Sequence, residues 1–262
     1  MPEGDTVAGH ARRLTPVLVG KEVERVAGSS PSLRANAHRV TGRRVEAVTP
    51  VGKNLVIEIS GGYSILIHLG MSGRWLVLDV ARPVPGDARL VLSTTTQHAI
   101  CLAAPTVIID RSPRIERRLS SLGPDLAGGE WDDSEFLRRV RTRDDKTVSA
   151  MLLDQRVAAG IGNVFKSEVL FLQRVHPDTV VADLGDDALL ALGRRARRLI
   201  QANVGRHRST TGEGYPGRET WVYGRQGRPC RRCGSAIEME YRHERVTYWC
   251  PSCQESQQRR GG

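Results

Sequence analysis

Four cysteines, Cys230, Cys233, Cys250 and Cys253, stand as two C-x2-C pairs separated by sixteen residues. Each close pair of thiolates can clasp one edge of a tetrahedral Zn²⁺, so the spacing predicts one structural zinc with four protein ligands and no open position for catalysis. Two disulfides are the competing reading. They are disfavoured because the opening MPEGDTVAGH is acidic and polar, unlike a signal peptide that would send the chain to an oxidising compartment. The segment between the pairs, SAIEMEYRHERVTYW, has strand character and suits a hairpin that returns the chain to the metal, with Arg245 on it. The fifth cysteine, Cys101, lies in HAICLAAP and reads as a buried core thiol.

The second place for chemistry is the start of the chain. Residue 2 is proline, before which an initiator methionine is normally removed. That removal would expose a secondary amine with a reference pKa of about 7.7–8.0, neutral in a sizeable fraction near pH 7. Such an amine can attack an electrophilic carbon and form an iminium that is cationic without needing a proton. Glu3 stands beside it as a proton donor or acceptor. On these residues alone, an incidental Met-Pro-Glu start remains open.

Three further places suit a polyanion. The run Leu152–Lys166, LLDQRVAAGIGNVFK, leads one helix into Gly160-Ile161-Gly162, and Asn163 is expected to cap the next helix. Free N–H groups at such a turn can face a phosphate, although an ordinary two-helix turn has the same sequence. Lys53, in VGKNL before a strand, could hold another phosphate or be solvent decoration. Met71, in the turn HLGMSG, is either a core filler or an apolar wedge between bases. The charge balance favours nucleic acid as the partner: Lys+Arg 39 against Asp+Glu 29 gives +10, with a pI of about 9.9. With 39% hydrophobic and 26% charged residues, the composition is that of a globular chain rather than a disordered or collagen-like one. No apolar run of about 18 residues is present, so no membrane span is expected.

The elements that must position these residues fall into three compositional parts, 1–125, 126–215 and 216–262. The first opens on a helix, with Val7, His10, Ala11, Leu14 and Leu18 at helical spacing and Gly20 as a stop. Eight strand-like runs follow: Val23–Ala27, Arg44–Val48, Asn54–Ser60, Tyr63–Leu69, Trp75–Asp79, Arg89–Thr94, Ala99–Ala103 and Thr106–Asp110. Gly61-Gly62 reads as a hairpin turn, and the set suggests a β-sandwich or flattened barrel. Helical periodicity then takes over in Trp131–Arg143, Thr147–Gln155, Val164–Arg174 and Asp186–Asn203. The last carries a core stripe of Leu189, Leu192, Ala196 and Leu199, and a basic face of Arg194, Arg195, Arg197 and Arg198. Residues 205–220 read as a linker, and the zinc module closes the chain before a frayed QQRRGG.

Taken in order, PEGDTV, GKNL, HLGMSG, LLDQRVAAGIGNVFKSEVLF, WVYGRQGRPCRRCG and ERVTYWCPSCQ resemble the formamidopyrimidine/endonuclease VIII family of DNA glycosylases over essentially the whole chain. The start looks most like the endonuclease VIII branch of actinobacteria. The resemblance implies an α+β multidomain chain: an N-terminal β-sandwich, a helical domain with a helix–two-turn–helix, and a C-terminal β-hairpin zinc finger. It implies a bifunctional glycosylase and abasic-site lyase of base excision repair. Pro2 would be the nucleophile, Glu3 the acid/base, and Lys53, Asn163 and Arg245 phosphate grips. Met71 would fill the gap left by the flipped base. Damaged DNA would be the partner, and a monomer at the cytoplasmic nucleoid the working form. Lesion choice does not follow from the resemblance; oxidised pyrimidines are expected ahead of 8-oxoguanine because no residue here matches the one that reads the opposite base.

Two features depart from the family pattern. Thr6 stands where many relatives carry a second acidic residue. The stretch Thr94–Arg114, which corresponds to an arginine–phenylalanine wedge loop in formamidopyrimidine enzymes, contains no Phe. Arg82, Arg89 and Arg111 are other sandwich arginines that could read the opposite base, although none sits in a matching motif. A catalytically inactive or lyase-only zinc-finger paralogue is the alternative function. A structural zinc protein of the ribosome or of transcription is a more distant one.

Overall fold

The computed structural model describes residues 1–212, 217–242 and 245–255. The expected C-terminal fray, and residues 213–216 of the expected linker, lie outside the described residues. The chain divides into two compact units, Met1–Ser121 and Leu122–Gly262, so the helical part and the zinc module fall within one unit.

The first unit opens with helix α1 (Gly4–Leu18), which buries Val7, Ala11, Leu14 and Leu18 on one face and ends before Gly20 at φ +79°. Two four-stranded antiparallel sheets follow. One has the order β1-β6-β7-β5, from Arg25–Ala27, Ala88–Ser93, Gln97–Leu102 and Arg74–Asp79. The other has the order β2-β3-β4-β8, from Val45–Val51, Asn54–Ile59, Tyr63–His68 and Thr106–Arg111. Period-two alternation sends Leu55, Ile57, Ile59, Ile65, Ile67, Val107 and Ile109 of one sheet into a shared core. Trp75, Leu90, Leu92, Ala99 and Cys101 of the other sheet and the α1 face join it, as in a sandwich. Burial pushes the Cys101 thiol up to about 12 and makes it inert.

All eight expected strands form, with shifted ends. β2 runs on through Pro50 because it is an edge strand, where a missing N–H costs no ladder bond. Two short helices were not expected: α2 (Pro31–Asn36) and α3 (Ser112–Leu119), each with Pro in its first turn. α3 lays Ile115 and Leu119 against Val56 and Leu66 on the outer face of the second sheet.

The second unit holds α4 (Asp133–Arg141), α5 (Val148–Leu153), α6 (Asn163–Gln173) and α7 (Asp186–Asn203). Asp132 caps α4 by accepting from the Ser134 and Glu135 N–H groups, and the Thr147 hydroxyl caps α5 by accepting from Ala150 N–H at 3.2 Å. Phe136, Met151, Leu152, Phe165, Leu170, Leu189, Leu192, Ala196 and Ile200 make its core. Ile200 replaces the expected Leu199 as the buried end of the α7 stripe, while Leu199 is only partly covered. A two-stranded hairpin, β9 (Glu238–Arg242) and β10 (Arg245–Trp249), carries the zinc-module segment between the cysteine pairs.

Candidate nucleic-acid interface and zinc centre

In the sandwich unit, Pro2 is half-buried and leads directly into α1. Glu3 is the N-cap residue and is completely buried; its carbonyl accepts from Thr6 N–H at 3.0 Å and Val7 N–H at 3.1 Å. A carboxylate at a helix N-terminus is favoured by the helix dipole. The Thr6 hydroxyl donates to the buried Asp5 carboxylate at 3.2 Å. At its other end α1 is pinned to the start of β2, where Gly20 N–H donates to the Val45 carbonyl at 2.9 Å.

Lys53 sits with Gly52 in the two-residue turn joining β2 to β3, and Gly52 supplies the φ of +59° that the turn needs. Sheet register brings His68 opposite Asn54, the residue after Lys53. Burial, and then the Lys53 charge, hold the His68 imidazole below its ordinary value. Its Nδ1 accepts from Gly70 N–H at 3.2 Å, which leaves Nε2 as the protonated nitrogen of the neutral ring. An ammonium and an imidazole N–H donor thus sit at one end of the sheet. Sequence reading missed His68; its signal was the hairpin register that sets it beside Lys53.

Met71 is 70% exposed on the tight turn between β4 and β5. The turn is rigid. Gly70 has φ +61°, and a Cβ there would meet the Pro105 ring at 2.7 Å; one at Gly73 would meet the Leu69 carbonyl at 2.3 Å. An apolar side chain held outward by such a turn does not fill the core. The Thr94–Arg114 stretch contains β7 and β8 joined by only Ala103-Ala104-Pro105, with Ala103 at φ +52°, so it offers no long wedge loop. Arg89 is committed elsewhere, donating to the Ala104 carbonyl at 3.0 Å.

In the second unit, the turn between α5 and α6 is built by one side chain. Gln155 Nε2 donates to the Leu153 and Ile161 carbonyls at 2.8 and 3.0 Å, and its Oε1 accepts from Gly160 N–H at 3.0 Å. Burial raises the Asp154 carboxyl, but hydrogen bonds from Arg156 and Arg143 outweigh it and hold the group well below the usual range. Asn163 is the first residue of α6, and Gly162, with its extended backbone, is the cap; the expectation that Asn163 caps the helix is corrected here. Asn163 is buried, and its Oδ1 has no hydrogen-bond partner among the described residues. Such an orphan is a cost to the fold and points to a role outside it.

α6 also anchors the zinc module and the segment leading to it. Lys166, wholly buried, donates through Nζ to the Val246 carbonyl at 2.9 Å and the Thr247 hydroxyl at 2.8 Å, beside Arg245. Glu168, also wholly buried, accepts from the Thr210 hydroxyl and from the Trp221, Val222 and Tyr223 N–H groups at 2.8, 2.9 and 2.8 Å. Burial pushes its carboxyl above the usual range, and the four donors oppose that. Neither residue was singled out in the sequence, where Lys-Ser-Glu in a helix looks like a solvated face. Arg245 is exposed at the start of β10. With the hydroxyls of Thr147, Ser149 and Thr247 and the carboxylates of Asp154 and Asp178, it lines a cavity of about 380 Å³.

The four zinc-spaced cysteines converge. Their Sγ atoms all lie within 4.8 Å of one another, with Cys230–Cys253 at 3.9 Å and Cys233–Cys250 at 3.4 Å. A tetrahedral Zn²⁺ with Zn–S of about 2.3 Å needs sulfur–sulfur edges of about 3.8 Å, so the donor set fits. None of the five cysteines is joined to another. This is a structural zinc site.

The site and fold therefore define a zinc-stabilised protein with a sandwich unit and a helical unit that each carry cationic side chains at turns and strand ends. Family models match along the chain: the formamidopyrimidine-DNA glycosylase N-terminal domain over residues 1–106, the formamidopyrimidine-DNA glycosylase H2TH domain over 122–213, and the zinc finger found in FPG and IleRS over 227–255. The chain belongs to the formamidopyrimidine-DNA glycosylase/endonuclease 8 family. It is 40% identical to the probable endonuclease 8 2 of Streptomyces coelicolor, over 97% of this chain and 94% of the relative. It is 39% identical to the DNA-(apurinic or apyrimidinic site) lyase Nei2 of Mycolicibacterium smegmatis, over 97% and 99%. The fold is that of the Lactococcus lactis Fpg in complex with abasic-site DNA, with a TM-score of 0.85 at 23% identity, covering 97% of this chain and all of that one. Among the described residues, no helix is long and apolar enough to cross a membrane.

Proposed function

We propose that the chain is a bifunctional DNA glycosylase and abasic-site lyase of base excision repair, acting on oxidised bases and on pyrimidines foremost. The observation that carries the reading is the pairing of Pro2 with a wholly buried Glu3 at the mouth of α1, in a chain of this family. The neutral Pro2 amine, freed by removal of Met1, attacks C1′ of a nucleotide flipped from the stack. As the base departs, the Glu3 carboxylate takes the proton that the amine nitrogen gives up and delivers it to the sugar ring oxygen, so that the C1′–O4′ bond breaks and an iminium forms. The resulting iminium acidifies the C2′ proton; its removal breaks the C3′–O3′ bond, and a second elimination breaks the C5′–O5′ bond. Lys53, Asn163 and Arg245 grip phosphates, and Met71 fills the vacated stack. The zinc holds the hairpin that presents Arg245. The protein works as a monomer on DNA in the cytoplasm, at the nucleoid.

Sodium borohydride trapping on abasic-site DNA tests this. A reduced covalent adduct at Pro2 is expected, and a residue left ahead of Pro2 should abolish it by turning the amine into an amide. Trapping that survives such a block would place the nucleophile elsewhere. A lyase-only enzyme is the second reading, favoured by the likeness to the DNA-(apurinic or apyrimidinic site) lyase Nei2 of Mycolicibacterium smegmatis. Base release from oxidised-pyrimidine DNA, lost in Glu3→Gln while a ready-made abasic site is still cut, separates the two.

A further inference from the structure

The sandwich has a second cationic feature, at the opposite end of its second sheet. β3 and β4 are joined at one end by Gly61-Gly62 and carry Lys53 and His68 at the other. At about 3.3 Å per residue, six-residue strands put roughly 20 Å between the two ends. At the Gly61-Gly62 end, three guanidiniums surround one ring. The Cζ atoms of Arg39, Arg43 and Arg111 lie 5.9, 5.5 and 4.4 Å from the centroid of Tyr63. They come from three separate elements: the turn after α2, the entry to β2 and the end of β8. Backbone carbonyls hold two of them in place, with Arg43 donating to Ser60 at 3.1 Å and Arg111 to Gly61 at 3.4 Å. The glycine turn makes the room, because a Cβ at Gly61 would fall on the Arg43 guanidinium.

What sets the cluster apart is its missing counter-charge. Among the described residues, none of the three forms an ion pair, whereas Arg114, a few residues on, pairs with Asp110 at 3.5 Å. The Asp110 carboxylate also accepts the Arg111 N–H at 2.8 Å, so the nearest acid in sequence is already engaged. Three like charges drawn to one ring repel each other. The π face offsets part of that cost, and each carbonyl uses only part of a five-donor fork. The remaining N–H groups match phosphate oxygens in geometry and charge. A duplex presents one phosphate per about 1.7 Å of its axis, so an array this small faces several phosphates at once.

We propose that the Arg39–Arg43–Arg111 cluster around Tyr63 is a second nucleic-acid surface, taking phosphodiester backbone away from the lesion end of the sandwich. The proposal rests on the functional reading above only in that DNA is the ligand. Its role is to hold undamaged DNA without sequence preference while the lesion end is free.

The test compares wild type with Arg39→Gln/Arg43→Gln/Arg111→Gln, and with the exposed single variants Arg39→Gln and Arg111→Gln in case the triple variant folds poorly. The probes are an abasic duplex of about 12 base pairs and an undamaged duplex of about 40, titrated over a salt series. At a slope of about −0.9 per phosphate contact, the triple variant should lose roughly 2–3 in the log–log salt slope on the long duplex, and each single variant about 1. Affinity for the short abasic duplex, and borohydride trapping on it, should stay within twofold. Trapping reads the proposed catalytic function independently, so a failure there is not mistaken for a failure of this surface. An unchanged slope on the long duplex overturns the proposal. So does an equal loss on the short abasic duplex, or a cluster that binds polyglutamate in preference to the long duplex.

Discussion

The residues proposed for chemistry in the sandwich unit stand at chain ends and turns above a core that is almost wholly apolar. In the helical unit, the proposed phosphate contacts are held by side chains that are themselves buried and polar. Pro2, Glu3, Lys53 and Met71 depend on α1 and two turns, and hydrophobic alternation builds most of the platform beneath them. Asn163 and Arg245 depend on Lys166, Glu168 and four thiolates, each needing a specific partner. The arginines differ in the same sense. Arg138, Arg139, Arg141, Arg143 and Arg194 of the helical unit are paired with carboxylates, while those around Tyr63 have no such pair among the described residues. A core of apolar side chains tolerates substitution in small steps, whereas a buried polar anchor fails when one partner goes.

That contrast can be broken or sharpened in four ways. Metal removal should have the largest effect. Structural zinc contributes roughly 10 kcal/mol or more in small fingers, so Cys250→Ser should release the metal and melt the β9–β10 hairpin. Metal analysis with circular dichroism would show it, and zinc retained at one per chain would refute the ligand set. Glu168→Ala comes next. It strands three N–H groups, that of Val222 buried and those of Trp221 and Tyr223 half-buried, and should cost about 3 kcal/mol in denaturant melts, several times a surface change. A loss below about 1 kcal/mol would erase the contrast between the units.

The third way tests the sandwich through pH. Burial, and then Arg13, hold the His10 imidazole down at about 4. The unfolded chain binds that proton near 6.5, so between those values the unfolded state carries more protons and stability falls as pH falls. The expected loss is about 2 kcal/mol after allowing for partial exposure. His10→Gln should flatten the stability profile over that window, and a slope that persists would assign it to other groups. The smallest effect belongs to Met71→Ala, within about 0.5 kcal/mol in stability because the side chain is exposed. Its consequence should be functional: excision from duplex DNA falls while cleavage of single-stranded abasic DNA holds. Equal losses on both would remove the wedge role.

Much of the sandwich was legible because its strands alternate and its turns are marked by glycine. The helices that escaped notice, α2 and α3, are too short for periodicity to show, and Ser-Pro starts were their only sign. The zinc ligands were legible because metal geometry constrains spacing along the chain. His68 was not, since its placement beside Lys53 exists only once β3 and β4 pair in register. Lys166 and Glu168 were hidden for a different reason. α6 is covered on nearly every side, so charged residues there carry no local cue that they face inward.

The grip of α6 on the hairpin has a thermodynamic corollary. The helix that begins with Asn163 reaches β10 through Lys166 and the Ser167 hydroxyl, so the α5–α6 turn and the cysteine cluster belong to one cooperative element. Two ligands that bind one such element are coupled, and the coupling is reciprocal. A polymer that binds more tightly when metal is present must, by the same factor, strengthen the hold on the metal. The occupied protein should therefore surrender less zinc to a chelator at equilibrium than the idle one, which makes metal loss a hazard chiefly of molecules that are not engaged.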